Sequence, residues 1–168
     1  MKKFIALTLI CAAAFLGAAE KNLAPTQWSI YGKNGDNSAT TLTKDGVATC
    51  FIKNVKDAKT GQNAFTGLVS AVKFAQPLTG SLTFGGESKA TDVKGNTPHN
   101  YCVYLDITNA DGTKLYGQTA VFTGGTHDWE KKSTTIKLAK PIKDANVYVI
   151  FRNITGKAEF RNIFIYNK

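Results

Sequence analysis

Apolar and polar residues alternate through the middle of this chain with the period of two that marks a half-buried strand. In Tyr101-Cys102-Val103-Tyr104-Leu105-Asp106-Ile107 a strand buries Tyr101, Val103, Leu105 and Ile107 and turns Cys102, Tyr104 and Asp106 to its second face. Asp111-Gly112 then supplies the positive-φ chemistry of a chain reversal, and another β-rich run leads to Phe122. The alternation recurs over 146–152, where Val147, Val149 and Phe151 face one way and Asn146, Tyr148, Ile150 and Arg152 the other.

The runs 28–31, 47–53, 66–74, 80–84, 118–123, 133–138 and 158–166 also read as strands, about nine short strands in all. Turn signals such as Lys44-Asp45-Gly46, Lys59-Thr60-Gly61, Thr123-Gly124-Gly125 and Thr155-Gly156 separate them, and no segment holds a helical apolar period for three turns. The pattern predicts an all-β sandwich or barrel. The Gly- and Asn-rich stretch 33–38 is expected to be a loop. The polar stretches 54–64 and 85–100 are expected to be long loops, where binding residues often collect.

The first nineteen residues change what counts as the folded chain. Lys2 and Lys3, an apolar run from Phe4 to Leu16, and Gly17-Ala18-Ala19 have the form of a secretory signal peptide cleaved near Ala19. The apolar run is shorter than the roughly 20 residues of a membrane-spanning helix, and Ile10 before Cys11 argues against a lipoprotein site. The expectation is a signal peptide over 1–19 and a single sandwich domain over 20–168, secreted or periplasmic, with no transmembrane segment. Without Lys2 and Lys3 the chain keeps 19 basic residues against 12 acidic ones, a net charge of +7. The lysines are dispersed, which gives a solvated surface with weak attraction for acidic polysaccharides. No Arg-rich, aromatic-interleaved stripe argues for nucleic acid. Cys50 and Cys102 remain, and in an exported protein they are either a disulfide or two separate buried thiols.

Catalytic signals are sparse. His99 and His127 are the two histidines, and no nucleophile elbow, zinc-binding helix motif or phosphate-cradling loop is present. Asp128 and Glu130 share one side of an extended segment at about 6–7 Å, a spacing open to a glycosidase pair. Solvated turn carboxylates are the ordinary reading, so no enzyme is expected. Binding has better support. Tyr104 with Asp106 and Tyr148 with Arg152 put an aromatic ring and a charged partner on each second face, and a sugar needs that mixture: a flat apolar surface with donors and acceptors beside it. Such residues are also ordinary outward-facing composition. Gln118 in the following strand and His99 in a loop complete the candidate ligand-binding set, with Tyr31 and Tyr116 as further edge candidates. Asn153-Ile154-Thr155 is a formal glycosylation sequon.

Several of these segments together carry a resemblance. Asn22-Leu23 followed by Trp28, the 101–107 strand, Asp111-Gly112-Thr113, Thr126-His127-Asp128-Trp129, and Gly156-Lys157-Ala158-Glu159-Phe160-Arg161-Asn162-Ile163 resemble the galactose-binding-like jelly-roll domains. The likeness is to the carbohydrate-binding modules that accompany secreted bacterial glycoside hydrolases and polysaccharide lyases. It implies an antiparallel jelly-roll sandwich, a glycan or polysaccharide partner, no catalysis, and scaffold roles for Trp28 and Trp129 at the sandwich ends. The alternative partner is another secreted or envelope protein, contacted through the same face. In many such modules an acid after the aromatic of the last strand helps hold structural calcium, whereas here Arg161 follows Phe160. A hard dication wants several oxygen ligands, so no cofactor is expected there. Asp36 and Asp45 are the oxygen donors that could build a site elsewhere.

Overall fold

The computed structural model describes residues 21–32, 38–39, 46–56 and 61–168. The signal-peptide expectation, the 44–45 and 59–60 turn residues, and Asp36 and Asp45 lie outside them. Ten strands follow in chain order: β1 Ser29–Ile30, β2 Ser38–Ala39, β3 Ala48–Ile52, β4 Phe65–Leu78, β5 Ser81–Lys94, β6 Tyr101–Asn109, β7 Lys114–Val121, β8 Gly125–Lys137, β9 Ile142–Arg152 and β10 Thr155–Asn167. They form two five-stranded sheets, β1-β4-β9-β6-β7 and β2-β3-β10-β5-β8. Every named pairing is antiparallel. The fold is an all-β sandwich, as the alternation predicts, of the jelly-roll form that the resemblance implies.

The core is built from the inward halves of the alternating strands. Tyr101, Val103, Leu105 and Ile107 of β6 meet Val147, Val149 and Phe151 of β9 in the first sheet, against Leu82, Phe84, Ala158 and Phe160 of the second. Tyr101 is its centre, with the rings of Phe122, Phe151 and Phe160 at 5.2, 5.5 and 5.7 Å. The Ser88 hydroxyl donates to the Glu159 carbonyl, so the Tyr101 hydroxyl donates to Ser88 and is satisfied inside the core.

The structure corrects the expected loop over 85–100, because β5 continues to Lys94 and only 95–100 connects it to β6. Leu82, Phe84, Gly86, Ser88 and Ala90 keep the period of two among its buried positions, with Gly85 and, past a register shift, Val93 buried as well; most of the residues after Phe84 are small and carry no hydrophobic signal. Close packing requires that smallness. A Cβ on Gly85 would collide with the Lys132 carbonyl, and one on Gly86 would lie 2.6 Å from Ile163 Cδ1. Likewise β8 starts eight residues before its expected beginning at 133, because this edge strand has no fully buried residue to betray it.

Cys50 and Cys102 are both free and both buried. Cys50 packs in the core between the sheets, whereas Cys102 is on the outer side of β6, back to back with the inward Tyr101 and Val103. Of the two alternatives, separate thiols are what the fold contains. Burial pushes each thiol up to about 12.

Candidate functional site

Register brings the two tyrosines together. Within the first sheet Tyr104 stands opposite Tyr148, Asp106 opposite Asn146 and Cys102 opposite Ile150, so one outer face carries all of them. The Tyr104 and Tyr148 rings meet edge-on at 5.6 Å. Tyr31, whose N–H donates to the Gly67 carbonyl at 2.8 Å, meets Tyr148 at 5.1 Å and Phe65 at 5.6 Å. Phe65, Tyr31, Tyr148 and Tyr104 therefore form a continuous row of rings. Gly32, at φ +69°, makes its first contact possible: any Cβ there would collide with the Phe65 ring.

Polar groups frame the row. Arg152 donates from Nε to the His99 carbonyl at 3.1 Å and to Asn100 Oδ1 at 3.3 Å. It lines a depression of about 240 Å³ with Tyr31, Asn63, Phe65, Ile150 and Asn153. On the other side of Tyr148 a wider groove of about 620 Å³ is walled by Trp28, Ser29, Val69, Ala71 and Asn146. Asp106 accepts from the Gly117 N–H at 3.2 Å. Burial, a hydrogen bond to Asp106 and the charge of that carboxylate push the Tyr104 hydroxyl up to about 12. Burial and the same carboxylate raise Tyr148. Both phenols are thus neutral near pH 7, able to donate and accept.

Tyr104, Asp106, Tyr148 and Arg152 converge on this face. His99 is at its rim, exposed, in a left-handed conformation at φ +59°, and it offers Arg152 its carbonyl. Gln118 is elsewhere: it stands opposite Leu105 while Thr119 takes the place beside Tyr104, and its amide donates to the Tyr116 carbonyl. Phe65 and Asn146 are additions. Asn146 alternates in phase with Tyr148 and was legible from that, whereas Phe65 falls one residue before the expected start of its strand.

Asp128 and Glu130 do not form a pair. A one-residue bulge in β8 lies between the pairings Ser88↔Glu130 and Ala90↔His127. It leaves Asp128 outward on Lys89 at 3.3 Å and Glu130 opposite the inward Ser88. The Trp129 N–H and Lys89 lower Asp128. Burial works to raise Glu130, but hydrogen bonds from Thr123 and Lys132 outweigh it. Neither carboxyl is held protonated as a general acid requires. Trp28 packs partly buried against the core, consistent with a scaffold role. Trp129 is not a plug at the sandwich end, since it sits on the outer face of the second sheet beneath Arg161, whose guanidinium is 4.0 Å from the ring centroid.

Arg161 also decides the fit of calcium. Its Nε donates to Glu87 Oε2 at 2.8 Å and Asn162 donates to Oε1 at 3.2 Å, so a fixed cation already holds this carboxylate and the residues do not suit a dication. Among the described residues no group of three or more His, Cys, Asp or Glu side chains could hold a metal ion. The hydrogen bonds from Arg161 and Asn162 lower the Glu87 carboxyl. A carboxyl lowered on folding contributes stability above its ordinary range and loses it as pH falls. Glu87→Gln is expected to cost under about 1 kcal/mol near pH 7, and the gap in melting temperature should close towards about pH 3. A gap that stays constant across that range would remove the ion pair as its cause.

No family model matches this chain. Over 84 residues it is 34% identical to the tRNA nuclease WapA of Bacillus subtilis (strain 168), a match covering 49% of this chain and 4% of that protein. The chain thus spans a small fraction of this curated relative. Among solved structures it is similar to the CBM22-1 and GH10 modules of Clostridium thermocellum xylanase 10B complexed with xylohexaose. The TM-score there is 0.58 at 14% identity, over 89% of this chain and 27% of that one. The enzymatically active domain of bacteriophage CBA120 tailspike protein 4 gives 0.58 at 10%, over 88% and 21%. A candidate sugar binding protein from Bacteroides thetaiotaomicron gives 0.51 at 14%, over 84% and 88%. At these identities the likeness is one of fold: this chain is a jelly roll of the kind found in carbohydrate-binding modules.

Proposed function

We propose that this chain is a non-catalytic glycan-binding module that works after export and holds a polysaccharide across the outer face of its first sheet. The row Phe65, Tyr31, Tyr148 and Tyr104 carries the reading. It offers apolar ring surface to the C–H faces of sugar rings, while Arg152, Asp106, Asn146 and the two phenols supply hydrogen bonds to hydroxyls. Depressions on both sides of Tyr148 suit an extended chain better than a single enclosed sugar. The charged n-region and apolar run of residues 1–19 support export, and the separated, ionised Asp128 and Glu130 support a role without hydrolysis.

A glycan array probed with residues 20–168 at low and high salt tests this reading. Binding to neutral sugars that survives high salt is the expected result, because a shaped aromatic site is not screened as charge is. Binding confined to acidic glycans and lost in salt would reduce the first face to the +7 surface. A blank array would turn attention to a protein partner, for which Leu115 and Tyr116, 40% and 63% exposed on the edge strand β7, are the favouring observation.

A further inference from the structure

We propose a second ligand site, on the outer face of the second sheet, that takes an acidic sugar bearing a carboxylate or sulfate. It is independent of the site on the first sheet and faces the opposite way. Its origin is the β-bulge in β10 between the pairings Arg161↔Glu87 and Phe164↔Gly85, where Asn162 adopts φ +50°. The extra residue turns Phe164 and Tyr166 outward, where their rings stack with centroids 5.2 Å apart and planes 24° from parallel. Gly85 opposite Phe164 and Thr83 opposite Tyr166 add little bulk over this platform.

The rings floor a depression of about 330 Å³ walled by Asn22, Glu87, Lys131 and Asn162. A flat platform with an amide, a carboxylate and an amine at its rim is the mixture a sugar ring requires. Its charge selects the class of sugar. Glu87 is engaged on both oxygens by Arg161 and Asn162. Lys131 has no carboxylate in ion-pair contact among the described residues; its amine lies 5.0 Å from the Phe164 ring centroid. One uncancelled cation therefore sits at the centre of the platform, within electrostatic reach of Glu87 but not bound to it. The Lys131 amine lies over Phe164, which is only 7% exposed. An anionic sugar gives the amine a partner as its ring packs on Tyr166 and the uncovered Phe164.

Affinity electrophoresis of residues 20–168 through gels containing polygalacturonate or dextran sulfate tests this, with yeast RNA as a third gel. The expected result is retardation by at least one of the two polysaccharides. Lys131→Gln, which removes the charge and keeps a polar side chain, and Tyr166→Ala should each weaken it at least about tenfold. Lys137→Gln, the same charge change farther along β8, should leave it unchanged, as should Tyr104→Ala with Tyr148→Ala. The proposal is overturned by equal losses in Lys131→Gln and Lys137→Gln, by loss only in the tyrosine pair, by retention in RNA alone, or by no retardation. Neutral-glycan binding by the first face is read separately, so either site can fail while the other stands.

Discussion

Tyr148→Ala is expected to lower affinity for a neutral polysaccharide at least about tenfold, and Tyr104→Ala together with it to abolish measurable binding. Tyr148 is the middle of the ring row, touching Tyr31 on one side and Tyr104 on the other. Its loss separates Tyr104 from the Arg152 depression and opens a gap where a sugar ring would rest. Central aromatic anchors commonly cost about 2 kcal/mol or more when truncated, and 1.4 kcal/mol is tenfold. Both tyrosines lie half-buried on the outer face, so the sandwich should melt close to the parent temperature. Tyr148→Phe keeps the platform and loses the hydroxyl, so its deficit should be smaller. Calorimetric titration with the strongest neutral glycan from the array decides the matter. If the double variant binds as the parent does while its circular dichroism is unchanged, the sheet face is not the site and the loops around His99 become the candidates.

The largest effect on stability is expected at Tyr101. Tyr101→Ala removes a fully buried ring packed against three others and leaves a cavity between the sheets. Phenylalanine-sized truncations in cores cost about 3–5 kcal/mol, against a total stability of about 5–15 kcal/mol. For a domain of this size that lowers the melting temperature by about 10 °C. Tyr101→Phe keeps the packing, and Ser88 still donates to the Glu159 carbonyl, so only about 1 kcal/mol should be lost. Urea unfolding of the three proteins checks the ordering. Equal costs for the two substitutions would mean that the Ser88 hydrogen bond, and not ring packing, holds this part of the core.

The sequence was most legible where strands bury one face and wet the other. Tyr101 to Ile107 and Asn146 to Arg152 alternate cleanly, but that they lie side by side in one sheet is seen only in the structure. It was least legible where burial is achieved by small residues or hardly at all. Gly86, Ser88 and Ala90 point into the core without an apolar signature, and the edge strand β8 is amphipathic too weakly to register before residue 133. The site divides in the same way. Tyr104, Asp106, Tyr148 and Arg152 could be placed because alternation fixes which way each faces. Gln118 could not, because the β6–β7 ladder slips between Leu105↔Gln118 and Ile107↔Leu115. One bulge in β8 separates Asp128 from Glu130, which alternation alone puts on one side of the segment, and another in β10 brought out the Phe164 and Tyr166 platform. Alternation carries no information about an inserted residue.

The position of β10 has a consequence for the order in which the molecule is made. It is the last of the strands among the described residues, yet it lies at the middle of the second sheet between β3 and β5. It supplies Ala158, Phe160 and Ile165 to the core, and it anchors the other end of the described fold through Leu23, whose N–H donates to the Ile165 carbonyl. A growing polypeptide that has not yet reached Thr155 holds β2-β3 and β5-β8 as two orphan ribbons with nothing to join them. Two-stranded ribbons are at best marginal alone, and joining them requires contacts between residues far apart in sequence. The second sheet therefore cannot close until β10 has emerged, whereas every strand of the first sheet is already in hand by Arg152.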